Sequence, residues 1–371
     1  NTLIGGLTGD ALDVGNSNIA IGTSALGADT KGSKTVAIGL SALATQNFTS
    51  ATDALNTAVG YSTGNTLTTG IQNTLIGALA GDALGDADFN VAVGYNALTG
   101  DTLGSRSTAI GRGALATQNF TSATDTNNTA VGFGAGVAVT TGLRNTITGA
   151  SAGTALTDAD NNTAVGTQAL LSDTLGSGST AIGQGALATQ NFTSAATSYN
   201  TAVGHQAGVA ITTGVANTIT GAQAGDAFTD ADENTAIGYA ALSSDTLGSQ
   251  STAIGAGTLA SQNFTSATDA NNTAVGFNAG NSLNTGVSNN FFGKDAGDST
   301  TSGDKNICIG VNANNSSATA DHAIVIGHDI AGASNDFSFG KASNIVSNDF
   351  DADAAFSRSS DERLKKNITD Q

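Results

Sequence analysis

The chain has 371 residues, 49 of them glycine, with no proline, methionine or tryptophan, 5% aromatic residues and a formal charge of −18 from 30 acidic and 12 basic side chains. That charge argues against a nucleic-acid ligand, which needs clustered Lys and Arg against its phosphates. Bulky residues are too few to fill an interior, so small and β-branched side chains must do so, and no apolar run approaches the ~18 residues of a membrane span.

Read from the first residue, a short phrase ending in glycine returns along nearly the whole chain. Its closing glycines begin at Gly5, Gly22, Gly39 and Gly60 and end at Gly310 and Gly327, in steps of 17, 17 and 21 and then 17, 17, 17 and 21, a superrepeat of 72 residues. A period of this size is the signature of a solenoid, in which each repeat buries its apolar face against its neighbours. The fold class expected is therefore all-β, a parallel β-solenoid of 17- and 21-residue coils over residues 1–330. Stacked about 4.8 Å apart, roughly 19 such coils would make a rod on the order of 90 Å long.

Each phrase reads as a strand. The residue before glycine is branched (Ile38, Val59, Ile76), the residue two earlier is Thr or aliphatic (Val36, Thr57, Thr74), and the one between is Ala (Ala37, Ala58). On a strand the first two share one face and the alanine takes the other. The branched face is expected to fill the coil, and the alanine face to lie against a neighbouring chain. Leu3, Leu75, Ile147, Ile219 and Phe291 replace the alanine every 72 residues, which reads as the same interface.

The Asn that opens the phrase, as at Asn56, Asn73 and Asn90, suits turn capping and an amide ladder between coils. The glycine that closes it supplies a positive φ for a corner. A small residue three positions later, such as Ala97 or Ala114, is expected to start a return strand. The 21-residue step always carries nearly the same segment, Ala44 to Ser50 in its first copy, and its Phe48, Phe120, Phe192 and Phe264 read as plugs for the coil or the neighbouring chain.

Other candidate sites are sparse. Asp86 and Asp88, Asp158 and Asp160, and Asp230 and Asp232 put paired carboxylates on turns, but calcium-loop spacings are missing, so solvated acidic corners are expected and no metal or cofactor is assigned. His205, His322 and His328 have no serine or carboxylate partner at repeating spacing; His322 and His328 would hold an ion only by meeting across an axis between chains. Cys308 stands at the strand position of the alanines and reads as a small buried residue, without a disulfide framework or zinc motif.

The phrase Asn-Thr-Ala-Val-Gly-x-x-Ala resembles the repeats in the heads of trimeric autotransporter adhesins. That resemblance, over residues 1–330, implies a left-handed parallel β-roll packed as a homotrimer. After Gly327 the repeat decays through Phe337 and Phe339, so 331–358 reads as a transition. Residues 359–371 differ in kind: Ser359-Ser360-Asp361-Glu362-Arg363-Leu364-Lys365 resembles the start of the intramolecular chaperone domain of phage endosialidases and many tail fibres. In that family a Ser-Asp-x-Arg-x-Lys motif cleaves itself. Carried over, Ser360 would attack the carbonyl of Ser359 with Lys365 as its base, chemistry that a lysine supports when burial lowers its pKa.

The function expected is structural: a trimeric phage tail-fibre shaft or receptor-binding segment on a virion or other extracellular surface, with a bacterial trimeric adhesin head as the alternative. No enzyme beyond a single self-cleavage is expected. The partners are sister copies and a cell-surface receptor or glycan, without nucleic acid or membrane insertion. A polysaccharide depolymerase would need a distinctive carboxylate pair in a groove, and regularly repeated acidic turns do not supply one.

Overall fold

A computed structural model describes residues 1–351. Ser359, Ser360 and Lys365 lie outside the described residues. Those described form a parallel β-solenoid with no helix. Contacts divide the chain into two units, Asn1–Ala231 and a second beginning at Asp232.

In the first unit each coil contributes one three-residue strand, and the strands stack in strict register. Thr108, Ala109 and Ile110 pair with Val91, Ala92 and Val93 on one side and with Thr129, Ala130 and Val131 on the other. The second unit repeats the scheme, Thr252–Ile254 pairing with Thr273–Val275. It ends in a longer strand, Asp336–Lys341, parallel to Ile324–His328 and antiparallel to Asn344–Asp349. Asn344–Asp349 pairs on one side only and so forms an edge of the sheet among the described residues.

The strand faces are the reverse of those expected. Ala37, Ala58, Ala92, Ala109 and Ala130 are wholly buried inside a single chain, while Ile76, Ile110 and Ile182 face outward at 37 to 40% exposure. The alanine side is thus the interior of the coil and not a surface for sister chains. The residues at 72-residue spacing follow suit: Leu75, Ile147, Ile219 and Phe291 are wholly buried within the coil, and Leu3 is exposed in the first one.

The reason for those large residues lies across the coil, four positions past the corner glycine. Where the strand residue is Ala92 or Ala109, that position holds buried Leu98 or Leu115, in a left-handed conformation. Around Leu75 it holds glycine, and a Cβ at Gly64 or Gly81 would stand 2.7 or 2.9 Å from a Leu75 methyl. Large and small residues exchange places so that the core volume stays filled, as close packing requires.

In most coils no return strand follows the corner; past Gly310 and Gly327 one does begin at the third residue, Ala313–Asn315 pairing in parallel with Ile330–Gly332. Ala97 and Ala114 sit in turns whose backbone groups bond between coils, Leu98 N–H to Ala114 O at 3.0 Å and Asn96 N–H to Ala78 O at 3.2 Å. The alternating left-handed residues there, Asn96 at φ 55° and Leu98 at φ 53°, turn successive amides toward the neighbouring coils. At the corner itself, Gly111 has φ 127°, and an added Cβ would stand 2.3 Å from the Gly132 carbonyl oxygen. No side chain fits that approach.

The asparagines do what a stacked ladder needs, mainly through the backbone. Asn73 N–H donates to Asn56 Oδ1 at 2.8 Å and Asn90 N–H to Asn73 Oδ1 at 2.9 Å, while Asn73 Nδ2 donates to Ala87 O at 2.8 Å. Direct amide-to-amide bonds occur as well, as from Asn73 Nδ2 to Asn56 Oδ1 at 3.3 Å.

Candidate functional site

The 21-residue coils carry a buried polar cluster that the sequence reading did not single out. Seven positions past the corner glycine the core residue is apolar in two successive coils, such as Val139 and Leu156, and polar in the next two, such as Asp173 and Gln190, a scheme kept until Thr300 replaces the second apolar residue in the last superrepeat. Gln118 Nε2 donates to Asp101 Oδ2 at 2.5 Å and to Ser107 Oγ at 2.8 Å, and Asn128 Nδ2 donates to Gln118 Oε1 at 2.9 Å. The other carboxylate oxygen, Oδ1, accepts the Gly104 and Phe120 amides at 3.0 and 3.1 Å. The cluster recurs with Asp29 and Gln46, with Asp173 and Gln190 and, in the second unit, with Asp245 and Gln262.

This cluster is wholly buried and each carboxylate oxygen is hydrogen-bonded, so it serves the fold. It also accounts for the four extra residues. They carry the chain outward past the carboxylate and bring it back with Phe120 only 7% exposed; its counterparts Phe48, Phe192 and Phe264 are 5 to 8% exposed. Phe192 lies over Gly176 of the preceding coil, 2.7 Å from where a Cβ would stand. The phenylalanines plug their own chain.

The acidic turns are structural too. Ile71 N–H donates to Asp88 Oδ1 at 2.7 Å and Leu143 N–H to Asp160 Oδ1 at 2.7 Å, while the Thr141 and Thr213 hydroxyls donate to Asp158 and Asp230 at 2.6 Å. Each carboxylate links one coil to the next, and among the described residues no group of three or more acidic, His or Cys side chains is placed to hold a metal. His328 Nδ1 lies 2.9 Å from Asp329 Oδ2, a carboxylate one residue away that repeat spacing did not flag. Cys308 is wholly buried on the alanine row, and burial pushes its thiol up to about 12.

Two surface features remain. The first is the outward strand face, in the first unit a row of Val93, Ile110, Val131, Thr148, Val165 and Ile182 beside a row of Val91, Thr108, Thr129, Thr146 and Thr163. The second is a cleft of about 340 Å³ just past the corner glycines of the first unit, whose lining includes Tyr95, Asn96, Arg112, Gly113, Phe133 and Gly134. The Arg112 guanidinium carbon lies 5.9 Å from the Tyr95 ring centroid and 5.5 Å from that of Phe133, close enough for the cation to interact with both rings. Arg106 and Arg144 are paired with Asp125 and Asp160, whereas Arg112 is paired with no carboxylate among the described residues.

The predicted cleavage residues Ser359, Ser360 and Lys365 lie outside the described residues. Among the described residues no helix is long and apolar enough to cross a membrane. The chain matches no known family model and none of the curated proteins with which it was compared.

Proposed function

We propose that the chain is a segment of a homotrimeric fibre, the shaft or a receptor-binding stretch of a phage tail fibre at the virion or cell surface, built as a left-handed β-roll. The observation that carries this reading is the outward strand face. Its in-register rows of Val, Ile and Thr leave a flat, half-exposed apolar sheet in each unit, and such a face is normally covered by a partner. Sister copies are the occupant that fits, because each copy presents the same rows at the same coil spacing. Three chains of charge −18 repel one another, so the face must bury enough apolar surface to outweigh that. Stacked coils give stiffness, and three copies multiply weak receptor contacts by avidity.

Sedimentation equilibrium tests the assembly. The chain is expected at three times its 36.2 kDa, and Ile110→Lys with Ile182→Lys is expected to sediment as a monomer that keeps its β circular dichroism. A wild-type monomer at micromolar concentration would overturn the trimer.

Maturation by self-cleavage belongs to the same reading, with Ser360 as nucleophile and Lys365 as base. Intact mass of the full-length product should show an end at Ser359 that Ser360→Ala abolishes. A product uncleaved in both forms rules the step out.

A further inference from the structure

The surface repeats every 72 residues, so a departure from the repeat marks a place with a task of its own. The positions of Tyr95, Arg112 and Phe133 hold Thr23, Leu40 and Tyr61 in the preceding superrepeat, Thr167, Gln184 and His205 in the next, and Tyr239, Ala256 and Phe277 in the one after. Two superrepeats therefore share the aromatic pair, and one of them adds the cation. A second departure falls beside the first. The residue after Phe277 is Asn278, and a Cβ on Gly257 would meet its side chain at 2.4 Å, whereas the residue after Phe133 is Gly134 and nothing stands within 4 Å of a Cβ on Gly113 or Gly134. One change supplies a positive charge and the other empties the floor beside it.

We propose that this cleft binds an acidic saccharide, a sugar ring bearing a carboxylate, with Arg112 taking the anion and Tyr95 and Phe133 taking the apolar face of the ring. The proposal rests on the surface-fibre reading and gives its receptor contact a place. Tyr95 is 48% and Phe133 55% exposed, so ring surface remains open even with the guanidinium between them. Arg112 is free of acidic partners in a chain of charge −18, so an anion there gains a contact that the protein itself leaves unmade. Ser151 and Thr154 line the same cleft; the Ser151 hydroxyl is offered to the rim of a sugar, and that of Thr154, which donates to Ser151 O at 2.8 Å, can still accept.

A peptide fits less well. The amides of Gly113 and Gly134 already donate to Tyr95 O and Arg112 O at 3.0 Å, so the floor presents no row of free backbone groups for an added strand. The volume stands at the small end of ligand clefts, with room for about one or two sugar rings. None of these lining residues belongs to a strand, so the cleft is built from residues other than the strand rows proposed as the trimer face.

Titration calorimetry tests this with trigalacturonate, a glucuronate-bearing tetrasaccharide and the methyl ester of each, on the full chain. At least one acid is expected to bind saturably and at least ten-fold more tightly than its ester. Arg112→Ala should weaken it ten-fold or more. Gly134→Asn should do the same by refilling the floor; Asn278 holds that position at φ 54°, so the backbone accepts the change. Saturable binding of neither acid, equal binding of acid and ester, or indifference to Arg112→Ala would each overturn the proposal. Sedimentation of the same samples separates it from the fibre reading: a trimer that binds no acid sinks the site alone, and a monomer that binds sinks the trimer alone.

Discussion

Gln118 shows what a single residue does in this fold. It is the side-chain donor to the buried Asp101 Oδ2, and removing it leaves that oxygen without its hydrogen bond. Gln118→Ala should therefore cost about 1–3 kcal/mol, read as a fall in the thermal midpoint. Gln118→Glu would set two carboxylates in contact, so one of them must hold a proton in the folded state and its pKa is raised. Stability should then be lost at pH 7 and regained as pH falls towards 4, the sign opposite to that of a salt-bridged carboxylate. A midpoint for Gln118→Glu as far below wild type at pH 4 as at pH 7 would contradict this role. The cluster was not legible in the sequence because the eye follows apolar periodicity, and Asp101 and Gln118 occupy core positions with polar side chains. The signal that could have found it was the fixed 17-residue offset between Asp29 and Gln46, repeated at Asp101 and Gln118.

At the scale of the coil, the 17- and 21-residue period, the parallel pairing, the corner glycines and the Asn ladder were all legible, because each rests on a backbone requirement that few residues satisfy. The direction of the strand was not. A strand's alternation says that alanine and isoleucine point apart but not which of them points in, and the usual rule that large apolar residues lie inside fails here. Where the strand residue is Ala109 the buried residue four past the corner is Leu115, and where it is Leu75 that residue is Gly81, whose Cβ would stand 2.9 Å from a Leu75 methyl, so the coil has no room for large residues at both places.

Leu75 tests that volume exchange. Leu75→Ala should cost about 2–5 kcal/mol by opening a cavity beside Gly64 and Gly81. Gly64→Ala should be destabilising alone and less so in the Leu75→Ala background, where its Cβ would no longer meet the Leu75 methyl at 2.7 Å and only the Leu43 methyl at 2.8 Å would remain. A double-mutant cycle by denaturant unfolding measures the coupling, and additivity would contradict the packing account. In most coils the return strand failed as an expectation for a different reason: alternating left-handed residues such as Asn96 and Leu98 bond between coils without extended backbone, and non-glycine residues in that conformation leave little trace in a sequence.

For the whole molecule, the inversion of the strand changes where assembly can occur. A single chain closes its own core over the alanines, so the proposed trimer is left the outward rows of Val, Ile and Thr. The 72-residue surface repeat is broken at Arg112 and Gly134, the two departures on which the proposed saccharide cleft rests. The self-cleavage residues rest on their resemblance to a known motif alone.

The central claim is that alanine faces the coil interior and the branched residues face out. Thiol accessibility measures this most directly, with Cys308 as an internal standard because it already occupies the alanine row, wholly buried, its thiol raised to about 12. In the monomeric Ile110→Lys, Ile182→Lys background, Cys308 and Ala109→Cys should resist a thiol reagent until the protein is unfolded, while Val131→Cys reacts at once. A native Ala109→Cys that reacts as fast as Val131→Cys would contradict the account.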